Sequence, residues 1–262
     1  MREILRNLSR RAFRVWQRDA DVYFTVWKTE FLPPLLEPIL YVFGFGLGLG
    51  QLVHEVHYQG RVLRYLAFLA PGIVAVAIMF WAFFETTFSS YVRMYYQKTF
   101  DAILATPLLV EDVILGELLW GTTKSVIAAT IMLAVLTALH LVAWPSALWV
   151  ILIAAVGGLL FAGLGLIMTS LVKTISQFNV PVFVVIMPMF MFGGTFFPID
   201  VLPPWALAVA WCLPLTHLSL LTRAAILGIG HPMIPVSAAY VVVMAVVLAA
   251  WSLRRMKRRL IQ

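Results

Sequence analysis

The chain reads as an all-α polytopic membrane protein: six transmembrane helices, an N-terminal amphipathic interface helix, a short inner-face helix and an outer re-entrant helical hairpin. Three observations predict this. Hydrophobic residues make up 62% of the 262 and charged residues 12%, whereas a soluble domain carries about 25% charged residues, and the mean hydropathy is +0.95. The apolar residues gather into runs of about 20, the length that crosses a bilayer at 1.5 Å per residue. Finally, the Lys and Arg residues cluster on alternate connections.

With both termini inside, 15 of the 19 basic residues lie on the inner side, seven of them in residues 1–30 and five in residues 254–259. Three lie outside, Arg61, Arg64 and Arg223, while Lys124 falls within a span. That asymmetry sets the orientation and accounts for the net charge of +7 as a topology signal rather than a nucleic-acid-binding surface. The single cysteine, Cys212, excludes an intrachain disulfide framework and a cysteine-based metal cluster. Residues 1–30 hold no uninterrupted apolar core and no small-residue cleavage pattern, so no secretory signal is expected.

Residues 1–30 form the first unit, and residues 31–262 the membrane domain. Within the first, residues 3–18 place Ile4, Leu5, Leu8, Ala12, Val15 and Trp16 on one helical face and five arginines towards the other. Such a helix lies along an anionic leaflet or docks on a partner. Span 1 is expected at Pro33–Leu52, with glycines 44, 46, 48 and 50 permitting close helix approach. A polar loop, His54–Arg64, leads to span 2 at Tyr65–Tyr91; its His54 and His57 are read as solvated.

Next comes Tyr95–Asp112, where Thr99 can cap a short helix from Phe100 to about Ala105 that Pro107 ends. This helix presents Tyr95, Tyr96, Phe100, Ile103 and Leu104 either to a cytoplasmic partner or to the lipid surface. Spans 3, 4 and 5 are expected at Val113–Leu139, Ala147–Val172 and Phe178–Phe197, the last kinked by Pro181 and Pro188. Gly193–Arg223 is apolar but interrupted by prolines 198, 203, 204 and 214, leaving runs about half a span long. It is therefore an outer re-entrant hairpin, about residues 198–228, whose second helix has Thr216 as a candidate N-cap. Span 6 covers Ile234–Leu253.

Catalytic chemistry has no visible home. There is no Walker-type glycine loop, no His-Glu-x-x-His and no Gly-x-Ser-x-Gly. Glu85, Glu117 and Lys124 form a candidate intramembrane charge network, read as a fastening of spans 2 and 3 or as a proton relay.

Two motifs, KTFDAILATPL after span 2 and FGGTFFPIDVLPPWA…LPLTHLSLLTR after span 5, resemble the ABC-2 class of ABC-exporter permeases, and most closely its NodJ-type and daunorubicin-type branch. The resemblance covers the whole chain. It implies a transport subunit rather than an enzyme: a homodimer in the bacterial inner membrane, working with two copies of a separate cytoplasmic ATPase that binds ATP and Mg. No cofactor is expected in this chain. Its cargo would be lipid-linked, a lipo-oligosaccharide or another amphiphile, with a drug as the alternative within the class. The same resemblance makes Thr99, Phe100, Asp101, Ile103, Leu104, Ala105, Thr106 and Pro107 a coupling helix at about residues 99–107. It makes Phe196, Phe197, Pro198, Pro214, Thr216 and His217 an outer gate or hairpin closure. Rival readings outside the class are a proton-coupled secondary carrier and a membrane scaffold without transport.

Overall fold

The computed structural model describes residues 11–261. Among them, six helices are long and apolar enough to cross a membrane: Trp27–Leu52, Tyr65–Tyr96, Val110–Ala138, Ser146–Leu171, Ile175–Phe192 and Ile234–Leu260, here spans 1 to 6. The segment expected to be re-entrant is a bent pair, Pro204–Cys212 and Pro214–Leu227, meeting at 83°. If that pair crossed the membrane as one unit it would make a seventh span.

The first helix, Ala12–Thr25, buries Ala12, Val15, Asp19, Ala20 and Tyr23, the i, i+3, i+7, i+8, i+11 stripe of an amphipathic helix. The earlier part of the expected amphipathic segment, residues 3–10, lies outside the described residues. This helix rests on span 3. Val15 occupies the space that a side chain at Gly116 would fill, and the Trp16 indole donates to Thr123 Oγ1 at 2.9 Å.

Span 1 begins at Trp27 and carries Pro33, Pro34 and Pro38 inside its helix rather than starting at Pro33. The expected polar loop that follows is instead a hairpin: β1 (Glu55–Tyr58) pairs antiparallel with β2 (Arg61–Arg64) in the register Glu55↔Arg64, His57↔Val62. Gln59 and Gly60 both have positive φ, 49° and 72°, the two-residue turn that matches strand twist.

Spans 2, 3 and 4 form the interior, with the second hairpin helix and span 6 against them. Small residues explain how span 4 can sit at the centre of this group. A Cβ on Gly158 would strike Ser125 of span 3, one on Gly163 would lie 2.9 Å from the backbone of span 6, and one on Gly165 would collide with Thr86 of span 2. At span 1, Gly44 has nothing within 4 Å and Gly46 meets only the Leu66 side chain, at 3.6 Å, an ordinary contact rather than a close backbone approach. Close approach takes small residues and a facing backbone, as at Gly163 of span 4 and at Gly72 of span 2, whose Cβ would lie 3.0 Å from the Thr195 backbone. We expect Gly165→Ala to cost about 2 kcal/mol through displacement of Thr86 and the Phe83 carbonyl. Thermal unfolding in detergent checks this, with Gly44→Ala expected to leave the midpoint in place.

Span 5 is broken where the prolines predict. A π-helical turn, Val182–Ile186, directly precedes the helix Met187–Phe192, because Pro188 offers no N–H to the Val184 carbonyl. The helix ends at Phe192 rather than Phe197, and Gly194, at φ 71°, turns the chain into the hairpin. Span 6 continues well past Leu253 to Leu260.

Candidate functional site

At the end of the bundle that carries Arg11 and the last turns of span 6, a short helix, Thr99–Leu104, lies between spans 2 and 3. Two expectations about it need correction. Thr99 does not cap it: the preceding residue, Lys98, takes a left-handed conformation, φ 54°, and makes no side-chain cap. Phe100 does not face outwards, being 1% exposed and part of the hydrophobic core. A six-residue helix cannot hold itself in water, and Phe100 is its anchor. Ile103 and Leu104 are half-buried, whereas Asp101, Ala102, Ala105, Thr106 and Pro107 are exposed. Tyr95 and Tyr96, just before it, are exposed as well.

Three basic side chains brace this region. The Arg11 guanidinium donates to the Pro107 carbonyl at 2.8 Å. Lys257 pairs with Glu111 at 2.6 Å. Arg259 donates to Tyr95 Oη at 2.8 Å and to the carbonyls of Thr169 and Val172. The surface presented by Asp101 to Pro107 is thereby tied to the N-terminal helix and to the far end of span 6.

Directly behind it lies the charge network, whose centre is Arg93. Its guanidinium forks onto Glu117, with Nη2 at 2.6 Å and Nε at 3.0 Å, while Nη1 reaches Glu85 at 2.7 Å. Lys124 pairs with Glu30 of span 1 and stands 3.9 Å from Glu85. Of the expected triad, Lys124 pairs with Glu85 as well as with Glu30 of span 1, whereas Glu117 pairs with Arg93 and not with Lys124. Arg93 lies two residues beyond the expected end of span 2 at Tyr91, in a helix that continues to Tyr96. In a straight α-helix, residues eight apart are about 80° out of phase. Two π-helical turns, Glu85–Ser89 and Val92–Tyr96, are wider and bring Glu85 and Arg93 onto one face. Thr86 and Thr87, bonding back to the Ala82 and Phe83 carbonyls, mark where this distortion begins.

At the opposite end, the hairpin side chains are packed together. Phe196 meets Phe45 and Phe190, at ring-centroid distances of 5.3 and 5.0 Å, and Phe197 and Pro198 are half-buried beside it. Pro214 is the first residue of the second hairpin helix, so Thr216 lies inside that helix and is not its N-cap. His217 Nε2 donates to the Trp211 carbonyl at 2.9 Å, its Nδ1 stands 3.0 Å from Ser237 Oγ, and its ring stacks on Tyr240. Sequence reading missed Arg223, which is buried, donates to the Gly194 carbonyl at 2.8 Å and covers the Phe68 ring at 4.0 Å.

Comparison with known proteins agrees with this architecture. Residues 10–227 match the family model described as ABC-2 type transporter. The chain is 38% identical over 228 residues to Nodulation protein J of Rhizobium leguminosarum bv. trifolii, covering 85% of this chain and 82% of that one. It is 37% identical over 216 residues to Nodulation protein J of Bradyrhizobium diazoefficiens, covering 82% and 81%. It is also 24% identical over 244 residues to the inner membrane transport permease YadH of Escherichia coli, covering 91% and 92%. Six apolar spans, the hairpin and the matched residues together establish that this chain belongs to the ABC-2 type transporter family.

Proposed function

We propose that the chain is the permease subunit of an ATP-driven exporter that moves a lipid-linked molecule, a lipo-oligosaccharide or similar amphiphile, outwards across the bacterial inner membrane. Two copies form the transmembrane unit, both termini are cytoplasmic, and a separate ABC ATPase, also in two copies, binds ATP and Mg. The observation that carries this reading is the exposed surface Asp101 to Pro107, set on a buried Phe100 and braced by Arg11, Lys257 and Arg259. Such a rigid projection suits transmission of movement from a soluble partner to spans 2, 3 and 6.

The proton-carrier reading needs carboxylates free to exchange protons, and Glu85 and Glu117 are both bonded to Arg93. The hairpin side chains Phe196, Phe197, Pro198, Pro214, Thr216 and His217 would close the outer end. To test the reading, the chain is co-expressed and purified with each candidate ABC ATPase subunit of its own genome. Co-purification is expected, with Ala105→Asp weakening the complex about tenfold or more, as for an interface anchor, while the permease remains folded. Failure of the unaltered chain to associate, or full association and export with Ala105→Asp, would overturn the docking surface.

A further inference from the structure

The last turns of span 6 divide their basic residues between two directions. Lys257 and Arg259 turn into the bundle: the first pairs with Glu111 at 2.6 Å, and the second donates to Tyr95 and to the carbonyls of Thr169 and Val172. Arg255 and Arg258 are exposed, and among the described residues neither makes a hydrogen bond or an ion pair. Span 6 offers them no acid of its own, since Ile234–Leu260 contains neither Asp nor Glu. Two guanidinium groups three residues apart share a helical face and repel each other. An anion lying between them relieves that repulsion.

The rest of that face says what kind of anion fits. Val236, Val243, Val247 and Trp251 precede Arg255 at spacings of seven and then four, which places them on one stripe of the helix. All four are exposed. Trp251 stands one turn before Arg255, and an indole in that position marks the boundary between hydrocarbon and headgroups. By helical rise Val247 and Val243 lie about 12 and 18 Å from Arg255 towards the other end of the span, which brackets the depth of about 15 Å of one leaflet's hydrocarbon. A soluble anion, or an acidic protein surface, would use the arginines and leave the valines bare. A phospholipid meets both, with its phosphate at the guanidinium forks and an acyl chain along the valines. The ammonium of a zwitterionic headgroup would sit against the same arginines and cancel part of the attraction, so the match is to a lipid of net negative charge.

We propose that residues 251–258 of span 6 form a binding site for an anionic phospholipid, with Arg255 and Arg258 on its phosphate and one acyl chain along Val247 and Val243. The site goes beyond the exporter reading and stands or falls without it. The test is native mass spectrometry of the full chain in detergent, titrated with dioleoyl phosphatidylglycerol or with dioleoyl phosphatidylcholine. Phosphatidylglycerol is expected to bind about tenfold more tightly, the range for two basic groups at an anionic surface. Arg255→Gln combined with Arg258→Gln should bring it down to the level of phosphatidylcholine. The unfolding midpoint should stay in place, because neither side chain has a partner to lose. Should that double variant unfold early, Arg258→Gln alone, expected to lose about threefold, decides the matter. Arg255→Lys with Arg258→Lys should fall between, keeping the charge without the fork. Arg61→Gln with Arg64→Gln, which alters two exposed arginines at the opposite end of span 2, should leave the preference as it was. If the unaltered chain shows no preference, or if the Arg61 and Arg64 pair of changes reduces it as much, the attraction is one of net charge and the proposal fails. Displacement of the lipid by equimolar glycerol 1-phosphate would show a free-phosphate site and overturn it too. A preference unchanged in the Gln pair, with association to the ATPase lost instead, assigns the face to the soluble partner and removes the lipid site.

Discussion

Arg93→Leu is expected to destabilise the protein by about 3–5 kcal/mol, the loss that follows when one member of a buried ion cluster is removed. The reason lies in what remains. Glu85 and Glu117 are 8% and 1% exposed, and each receives a guanidinium bond from Arg93 at 2.7 Å or less. Without that group two carboxylates share a cavity of low dielectric, and Lys124, 3.9 Å from Glu85 and already paired with Glu30, offsets only part of the charge. Arg93→Lys should fall between, since it keeps the charge but loses the fork onto Glu117. The decisive variant combines Arg93→Leu with Glu85→Gln and Glu117→Gln. If unpaired charge is the cause, most of the stability returns in the triple variant, measured as the unfolding midpoint in detergent. If the triple variant unfolds as early as Arg93→Leu alone, the guanidinium acts through its shape and this account fails.

The position of Arg93 shows why part of the molecule was legible in the sequence and part was not. Span positions follow from apolar length, a property that adds along the chain, so all six could be read directly. The hairpin was legible for a related reason: prolines at 203, 204 and 214 leave apolar runs about half the length a span needs. Features set by geometry between elements were hidden. The π-helical turns that bring Arg93 under Glu85 leave no strong signal at the level of composition. The inward turn of Phe100 could not be read from a helix of six residues, because that length is less than two periods. Glycine spacing alone suggests span 1 as a close-approach helix, whereas the tight approaches are made by glycines of spans 2, 3 and 4. The β-hairpin did have a signal, since Gln59–Gly60 sits between the alternating residues Val56, Tyr58 and Val62.

Asp19→Asn is expected to stabilise the folded chain at neutral pH, the reverse of what loss of an ion pair normally does. Burial, and next the negative charge of Glu117, push the Asp19 carboxyl from its ordinary value of 3.8 up to about 6, against the opposing pull of Arg93 and Arg18. Between about pH 4 and 6 the folded chain therefore holds a proton that the unfolded chain has released. Stability must fall as pH rises through that window and stay low above it, by up to about 3 kcal/mol. The pair with Arg18 returns little, because the Arg18 side chain is 38% exposed and such pairs contribute about 1 kcal/mol or less. Asn cannot ionise, so the variant should lose the pH 4–6 slope and gain about 2 kcal/mol at pH 7. Unfolding midpoints of both proteins from pH 4 to 8 check this, and parallel curves would refute it.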